Sequence, residues 1–272
     1  MASGDVGAPE LKARDFKLLA DMIHEASGVR LGTEKRELLA ARLRPLLPEL
    51  GVRSFAGLAA ALHADASGEK IALLVDRATT NTTGFFRHKA QLDLLRARLP
   101  GLAVGRGKLR VWSVGCSSGE EPYSVALLLL SLGLANNAKV LATDVSGRAL
   151  SRAKLAIYDK EALADIPASL RGHFERREDG RFELRPEARA LVHLRHHDLR
   201  SASAGARNVF DVILCRNVLI YFEAAERGAA VARLANALRP GGLLVLGPSE
   251  SGLELPDSLV RIGTAAYEKG RA

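Results

Sequence analysis

The sequence predicts an α/β protein with two parts. An all-helical N-terminal domain precedes a doubly wound sheet with a small β insertion. Between residues 11 and 75 apolar side chains recur at helical spacing, whereas from Leu109 onward short apolar runs alternate with helical segments. Such alternation is typical of a parallel sheet that binds its ligands at the carboxyl ends of the strands. We therefore expect a helical domain at 1–75, a linker at 76–108 that also lines the ligand site, and a sheet domain at 109–272.

Local signals define helices in the first domain. Apolar residues at helical spacing after Phe16 predict a helix that ends at Gly28. Thr33 and Ser54 are suitable N-caps for a second and a third helix. A fourth helix is expected around Ile71–Val75.

The sheet domain is expected to contain four main strands and three main helices. The predicted strands are Leu109–Val114, Val140–Thr143, Phe210–Leu214 and Leu243–Leu246. The predicted helices are Glu121–Leu132, Ser146–Ile157 and Ala224–Leu238. Between about 158 and 198 an Asp179-Gly180 turn signal and the strand-like Val192–Leu194 predict the β insertion.

The composition excludes several classes of protein. The N-terminus lacks a signal-peptide core, and the longest apolar run, Val125–Leu132, is too short to span a bilayer. Cys116 and Cys215 form no CxxC pair, so reduced cytoplasmic cysteines are expected, with no metal site. The net charge of +8 fits an acidic protein partner better than a nucleic acid, because only 5% of residues are aromatic.

The segment Val111–Ser124 predicts a strand, a tight glycine loop and a helix start. Gly115 and Gly119 allow a sharp turn and a close ligand approach. Glu120 and Glu121 would repel a phosphate, so they favour a cationic ligand such as the sulfonium or ammonium of S-adenosylmethionine. A capped turn with solvated acids is the alternative interpretation.

Asp144 ends the second predicted strand of the sheet domain. An acid about 20–30 residues after the glycine loop is where Rossmann-like folds bind ribose hydroxyls. An N-cap of the following helix is the alternative. Because the loop lacks GxGxxG spacing and is acidic, adenosylmethionine fits better than NAD.

Two further clusters of polar residues lie in apolar surroundings. Arg216, Asn217 and Tyr221 follow the strand Phe210–Leu214, which indicates a site at the strand end. No Asn-Pro-Pro-Tyr sequence is present, which argues against DNA N-methylation. Threonines, an asparagine and Arg87 at 79–87 could bind a zwitterionic ligand, because an arginine can pair with its carboxylate.

Taken together, these segments resemble the CheR family of chemotaxis-receptor glutamate O-methyltransferases. The resemblance covers most of the chain, and the matching segments are Gly28–Leu31, Lys35-Arg36, Thr80–Arg87, Val111–Ser124, Phe210–Phe222, Gly241–Leu243 and Ser249-Glu250. It implies a Rossmann-like methyltransferase that uses S-adenosylmethionine, forms S-adenosylhomocysteine and methylates glutamates on a chemoreceptor helical bundle.

The resemblance also implies roles for individual residues. Asn81, Thr83 and Arg87 would line the methionine end of the cofactor pocket, and Arg87 and Tyr221 would lie at the methyl transfer. Further cofactor contacts are implied for Glu121 (or its neighbour Glu120), Asp144, Asp198, Leu199, Arg216 and Asn217. Asp198 stands where asparagine is common in the family, and Gly84 where alanine is common.

Partner binding is expected at two places. The basic helix after Thr33, with Lys35, Arg36, Arg42 and Arg44, could dock an acidic receptor bundle, or could simply be a solvated face. The loop 175–180 looks shorter than in family members that tether a receptor C-terminal pentapeptide, so independence of that peptide is expected. Methylation of another protein or carboxylate, or a non-catalytic scaffold that binds adenosylmethionine, are the alternative functions.

Overall fold

A computed structural model describes residues 9–78, 83–105, 107–201 and 207–271. The chain forms two compact units, Met1–Thr80 and Asn81–Ala272. None of the helices within the described ranges is long and apolar enough to cross a membrane.

The first unit is helical, and residues 9–78 contain no strand. Its helices are α1 (Ala13–Ser27), α2 (Arg36–Leu43), α3 (Leu46–Glu49), α4 (Phe55–His63) and α5 (Glu69–Ala78). The predicted end of α1 is confirmed, because Gly28 has φ 74° and its N–H donates to the His24 carbonyl at 2.7 Å. Ser54 caps α4 as expected by accepting the Gly57 N–H at 3.1 Å. Thr33 instead begins a 3₁₀ turn, Thr33–Lys35, that leads into α2.

Apolar faces of these helices pack on one another. The buried side chains include Phe16, Leu19, Leu43 and Leu58, each at most 5% exposed. Burial of this kind stabilises such short helices more than helix propensity does. Arg42 Nη1 donates to the Ala78 carbonyl at 2.8 Å, which ties α2 to the end of α5.

The second unit is built on a seven-stranded sheet. Its strands are β1 (Leu109–Val114), β2 (Ala138–Asp144), β6 (Val192–His196), β7 (Phe210–Cys215), β8 (Leu238–Leu246), β9 (Leu259–Gly263) and β10 (Ala266–Lys269). Their order in the sheet is β6-β2-β1-β7-β8-β10-β9. The pairs from β6 to β8 are parallel, whereas β10 is antiparallel to both β8 and β9. The predicted doubly wound sheet is therefore confirmed, with an antiparallel edge added.

The helices of this unit are α6 (Lys89–Ala103), α7 (Glu120–Ser131), α8 (Gly147–Leu155), α9 (Pro186–Arg189) and α10 (Ala224–Ala237). α6 lies inside the segment 76–108 that was expected to be a linker. Leu92, Leu95 and Leu99 recur at helical spacing along it and pack into the core with sheet residues such as Val111. This part of the expected linker is thus a structural element of the sheet unit.

The β insertion is shorter than expected. Its strands β3 (Ile157–Tyr158), β4 (Phe174–Arg176) and β5 (Phe182–Leu184) form a separate antiparallel sheet. The strand-like stretch from Val192 belongs to β6, which pairs in parallel with β2 at the edge of the main sheet. Its partly exposed, alternating pattern is that of an edge strand and does not reveal which sheet it joins.

Candidate cofactor and active site

Three neighbouring strands bring the predicted site segments together at the carboxyl ends of the parallel strands. β1 lies between β2 and β7, and Val114 is in register with both Thr143 and Cys215. The loops that follow these strands therefore start side by side. They contain Gly115, Asp144 and Arg216, so the topology joins three of the four segments singled out in the sequence.

The glycine loop after β1 is tightly packed. Gly115 has φ 67°, and a Cβ added there would lie 2.4 Å from Val218 Cγ2. Gly119 has φ 98°, and its Cβ would lie 2.8 Å from Tyr123 Cε2. Both positions require glycine for space and for backbone conformation. Gly115 also allows the segment after β7 to lie directly against the loop after β1.

The two acids at the start of α7 have different partners. Glu121 Oε1 accepts the Ser113 hydroxyl at 2.6 Å, and its Oε2 lies 2.6 Å from Arg216 Nε. Glu120 accepts the Ser118 hydroxyl at 2.9 Å. Both acids are buried, and burial raises the pKa of Glu120. The interpretation of these acids as solvated is therefore wrong.

Arg216 joins the sheet to the segment before α6. Its Nη1 donates to the Arg87 carbonyl at 2.6 Å and to Gln91 Oε1 at 3.3 Å. Gln91 Nε2 in turn donates to the carbonyls of Leu246 and Thr264, at 2.8 and 3.0 Å. The backbone at Arg87 is thus held by a buried polar network, in which each bond also satisfies a desolvated group.

The backbone beside Arg87 adopts uncommon conformations. Phe86 and His88, on either side of it, have φ 51° and 60°. Such left-handed non-glycine residues cost about 1–3 kcal/mol each and cluster at functional sites. Burial lowers the pKa of His88, and the charges of Arg216 and Arg87 lower it further, while a hydrogen bond with Asn217 acts in the opposite direction. Arg87 therefore lies in a strained turn beside a histidine that favours its neutral form.

Asp144 is fixed by backbone amides on both sides. Its Oδ2 accepts the Ser117 N–H at 2.8 Å, and its Oδ1 accepts the Ser146 N–H at 2.9 Å. The N-cap of α8 is Ser146, whose hydroxyl accepts the Ala149 N–H at 3.0 Å, so the N-cap alternative for Asp144 is wrong. The Ser117 hydroxyl is buried and lacks a hydrogen-bond partner among the described residues.

Comparison with known families identifies this arrangement. Residues 81–267 match the family model described as the SAM-binding domain of CheR methyltransferases, and residues 14–79 match their all-alpha domain. The chain belongs to the CheR methyltransferase family. It is an S-adenosylmethionine-dependent methyltransferase, which confirms the cofactor and the enzyme class predicted from the sequence.

Relatives that match almost the whole of this chain agree with the family assignment. Chemotaxis protein methyltransferase 1 of Pseudomonas aeruginosa is 35% identical over 254 residues, which cover 89% of this chain and 92% of that protein. The chemotaxis protein methyltransferase of Vibrio parahaemolyticus is 33% identical over 252 residues, which cover 90% and 91%.

The residues of this CheR protein fit S-adenosylmethionine. The ligand carries a sulfonium, an ammonium and a ribose with two hydroxyl donors. Glu120 and Glu121 place two buried carboxyl groups at the glycine loop, and Asp144 supplies a fixed carboxylate at the end of β2. The unsatisfied Ser117 hydroxyl adds a polar atom that a ligand could bond, as buried polar groups ordinarily require a partner.

The remaining predicted residues of the CheR site are placed as follows. Thr83 is half-buried near the start of the Arg87 turn, and Asn81 lies outside the described residues. Tyr221 ends a 3₁₀ turn, Leu219–Tyr221, and is half-buried against the core. Asp198 accepts Arg200 Nη2 at 2.7 Å, and Leu199 is buried in the core beside α10.

Three buried polar residues around the site were not singled out by the sequence analysis. Ser113 lies in β1 between Trp112 and Val114, Gln91 lies on the buried face of α6, and Glu250 follows β8. Each is at most 4% exposed. The sequence did carry a signal for Ser113 and Gln91, because each is a polar residue at a position where the spacing of apolar residues predicts a buried side chain. Glu250 carried no local signal of its contacts, because most of its partners are distant in sequence.

Proposed function

We propose that this protein transfers a methyl group from S-adenosylmethionine to glutamate side chains of chemoreceptors. The products are glutamate methyl esters and S-adenosylhomocysteine. The observation that carries the proposal is the joining of Glu121, Asp144, Arg216 and the Arg87 backbone at one sheet edge, in a chain whose relatives are named chemotaxis protein methyltransferases.

The reaction needs orientation more than a base. A glutamate carboxylate, with an unperturbed pKa of about 4.3, is already an anion at neutral pH. S-adenosylmethionine, when bound, would supply a sulfonium methyl group, whose carbon–sulfur bond breaks as the carboxylate oxygen bonds the methyl carbon, with the neutral thioether of S-adenosylhomocysteine as the leaving group. Correct positioning of reactants can remove roughly 7–11 kcal/mol of a barrier. The work of the protein is therefore to hold the acceptor in line and to exclude water.

Arg87 and Tyr221 are the residues proposed to hold the acceptor. Arg87 would steer the carboxylate by charge, and the Tyr221 hydroxyl would donate a hydrogen bond to it. One arginine and one hydroxyl would hold the carboxylate loosely enough that one of its oxygens remains a nucleophile for the methyl group. The turn around Arg87, anchored through its carbonyl by Arg216, supports a fixed direction for this side chain.

The cofactor contacts proposed from the family resemblance are Asn81, Thr83, Arg87, Glu121, Asp144, Asp198, Leu199, Arg216 and Asn217. The hydrogen bonds in the structure support a direct cofactor contact for some of these residues more than for others. Arg216 donates from Nε to Glu121 and from Nη1 to the Arg87 carbonyl and Gln91. We therefore propose that it positions these groups and does not itself bind the cofactor. The Glu120 carboxylate is bonded to the Ser118 hydroxyl, and the charge of Arg152 acts on it without an ion-pair contact, so we assign Glu120 as the stronger counter-charge for an ammonium group.

Receptor docking is proposed for the helical unit, where the basic residues differ in accessibility. Arg42 is bonded to the end of α5, and Arg44 is half-buried, so charge reversal there would disturb the fold itself. Arg36 is the better probe, because its side chain is 40% exposed beside Glu37. Arg36→Glu should slow receptor methylation at low salt, with the exposed Arg53→Glu as the matched control.

Independence of a receptor-tail pentapeptide is proposed for the β insertion. The turn between β4 and β5 is closed by its own side chains, with Arg177 Nη1 2.6 Å from Glu183 Oε2 and Arg181 Nη2 2.6 Å from Asp179 Oδ2. Titration with such a pentapeptide should give no binding at micromolar concentrations. Micromolar binding would contradict this part of the proposal.

The function is tested by methyl transfer in solution. The purified protein is incubated with S-adenosylmethionine labelled in its methyl group and with a receptor signalling domain. We expect label on the receptor that alkali releases as methanol, as glutamate methyl esters require. A receptor with its acceptor glutamates replaced by aspartate should remain unlabelled. Cofactor binding without any receptor label would favour another acceptor or the scaffold.

A further inference from the structure

Glu250 is a buried carboxylate that the reaction does not use. It lies just after β8 and is 1% exposed. Burial raises its pKa, and hydrogen bonds from backbone amides oppose that effect. A buried charge of this kind is costly unless its oxygens are fully satisfied.

Both oxygens of Glu250 are satisfied by backbone N–H groups. Oε2 accepts from Gly247 at 2.6 Å and from Asn217 at 2.9 Å. Oε1 accepts from Leu219 at 2.8 Å and from Ile220 at 3.2 Å. Four donors use the whole acceptor capacity of a carboxylate, which has about four lone-pair sites.

Three of these donors are far away in the sequence. Gly247 belongs to the turn of Glu250 itself, but the other three amides are 30 to 33 residues distant. They belong to the segment that follows β7. A carboxylate that served only to cap its own turn would need no donors there.

The contact is also sterically close. A Cβ added at Gly247 would lie 2.7 Å from Glu250 Oε2 and 2.8 Å from the Asn217 nitrogen. Asn217 itself has φ 60°, a left-handed conformation that asparagine tolerates better than most residues. Val218, next to it, packs against Gly115 of the glycine loop. The segment is thus held on one side by Glu250 and contacts the cofactor loop on the other.

We propose that Glu250 is a positioning residue for methyl transfer, whose carboxylate holds the segment 217–221 and thereby sets the position of Tyr221. This inference rests on the proposed function, in which Tyr221 holds the acceptor. Glu250 acts through the segment and need not touch the substrate. Its loss should lower turnover more than it weakens cofactor binding.

Glu250→Gln is the informative substitution. An amide keeps the shape of the side chain but replaces one acceptor oxygen with an NH2 group, which would face backbone N–H donors. The NH2 group accepts from neither pair of backbone amides. Either the amides that bond Oε2 or those that bond Oε1 therefore lose their acceptor. Glu254→Gln, an exposed change four residues away, is the matched control.

The experiment combines kinetics with hydrogen exchange well below the melting temperature. For Glu250→Gln we expect kcat to fall at least about tenfold, equivalent to roughly 1.4 kcal/mol of barrier, while Kd for S-adenosylhomocysteine changes less. Amide exchange in peptides covering 217–221 should quicken about tenfold relative to the rest of the sheet unit. Glu254→Gln should match the wild type in both measurements.

Two results would overturn the inference. One is wild-type kcat in Glu250→Gln. The other is faster exchange spread evenly over the sheet unit, which indicates general destabilisation and no specific hold on 217–221. If the wild-type protein itself transfers no methyl group to a receptor, the proposed function fails, and the exchange data still decide whether Glu250 orders the segment.

Discussion

Arg216 and Glu121 form a buried ion pair, with Nε 2.6 Å from Oε2 and the two side chains 4% and 10% exposed. The same guanidinium donates to the Arg87 carbonyl at 2.6 Å. One arginine therefore balances the charge of an acid at the start of α7, next to the glycine loop, and anchors the turn of the proposed catalytic arginine. Its removal should affect stability and activity together.

Arg216→Met should destabilise the protein by about 3–5 kcal/mol, because it leaves Glu121 charged and buried without its partner. Urea unfolding measures the difference. Arg98→Met is the control, since Arg98 pairs with Glu268 at the surface, where side chains are 42% and 29% exposed. That change should cost less than about 1 kcal/mol. Equal losses in the two variants would show that the buried pair contributes no more than a surface pair.

Much of the fold could be predicted from local sequence signals. Gly28 and Ser54 act within their own turns, so the ends of α1 and α4 were readable from neighbouring residues. β1 was also recovered with its bounds, because a short apolar run before a glycine loop is a local pattern. Whether a stretch pairs with one sheet or another depends on distant partners, which explains why β6 was assigned to the insertion.

The components of the candidate site could be singled out from the sequence, but their connections could not. The glycine loop, Asp144 and Arg216 were chosen because strand ends concentrate ligand-binding residues, and the order of β2, β1 and β7 brings them together, while their contacts with the cofactor stay a prediction. The bonds of Arg216 to Glu121 and to Arg87 span 95 and 129 residues, and no local pattern encodes them. Glu250 was missed as a site residue for the same reason.

The buried carboxyl group of Glu120 should make the stability of the protein depend on pH. Its pKa is raised from 4.5 by burial, so the folded state binds more protons than the unfolded state in the window above pH 4.5. Stability from this group therefore falls as pH rises through that window and stays low above the folded pKa. Glu120→Gln removes the titration.

Thermal melting of the wild type and Glu120→Gln from pH 4.5 to pH 8 tests this sign. The melting temperature of the wild type should decline relative to that of the variant as pH rises. Glu161→Gln, an exposed glutamate of the same unit, is the control and should show no such relative trend. A relative gain for the wild type with rising pH would mean that Glu120 is stabilised as an anion in the fold.

Asp144→Asn should weaken cofactor binding. The amide supplies one acceptor oxygen where the carboxylate supplies two, so the Ser117 or Ser146 N–H loses its partner and the proposed ribose contact is impaired. A loss of about 1–3 kcal/mol corresponds to roughly 5- to 150-fold in Kd. Calorimetric titration with S-adenosylhomocysteine measures it, and Asp179→Asn in the exposed hairpin turn is the control. Unchanged affinity would remove Asp144 from the cofactor site.

Gly115→Ala should disturb the contact between the glycine loop and the segment after β7. Its Cβ would lie 2.4 Å from Val218 Cγ2, in addition to the strain at φ 67°. Gly133→Ala separates the two effects, because Gly133 has φ 69° and open space around its Cβ. Conformational strain alone should cost about 1–2 kcal/mol. Gly115→Ala should cost more and should also raise Kd for S-adenosylhomocysteine, which Gly133→Ala should not do.

Arg87→Ala and Tyr221→Phe should separate turnover from cofactor binding. Both residues are proposed to hold the acceptor, so kcat for receptor methylation should fall by about 10²-fold or more, as expected when a reactant is no longer held in line. Kd for S-adenosylhomocysteine should stay within about threefold in both variants, a change below roughly 0.7 kcal/mol.

Matched substitutions control for the chemistry of each change. Arg96→Ala removes an exposed arginine of α6, and Tyr267→Phe removes a hydroxyl that donates to the Ser251 carbonyl at 3.3 Å. Neither should lower kcat as much as the change at Arg87 or Tyr221. Full turnover in Arg87→Ala and Tyr221→Phe would require another pair of residues to position the glutamate. Loss of cofactor binding in step with kcat would instead mean that both residues act mainly by binding the cofactor and do not hold the acceptor.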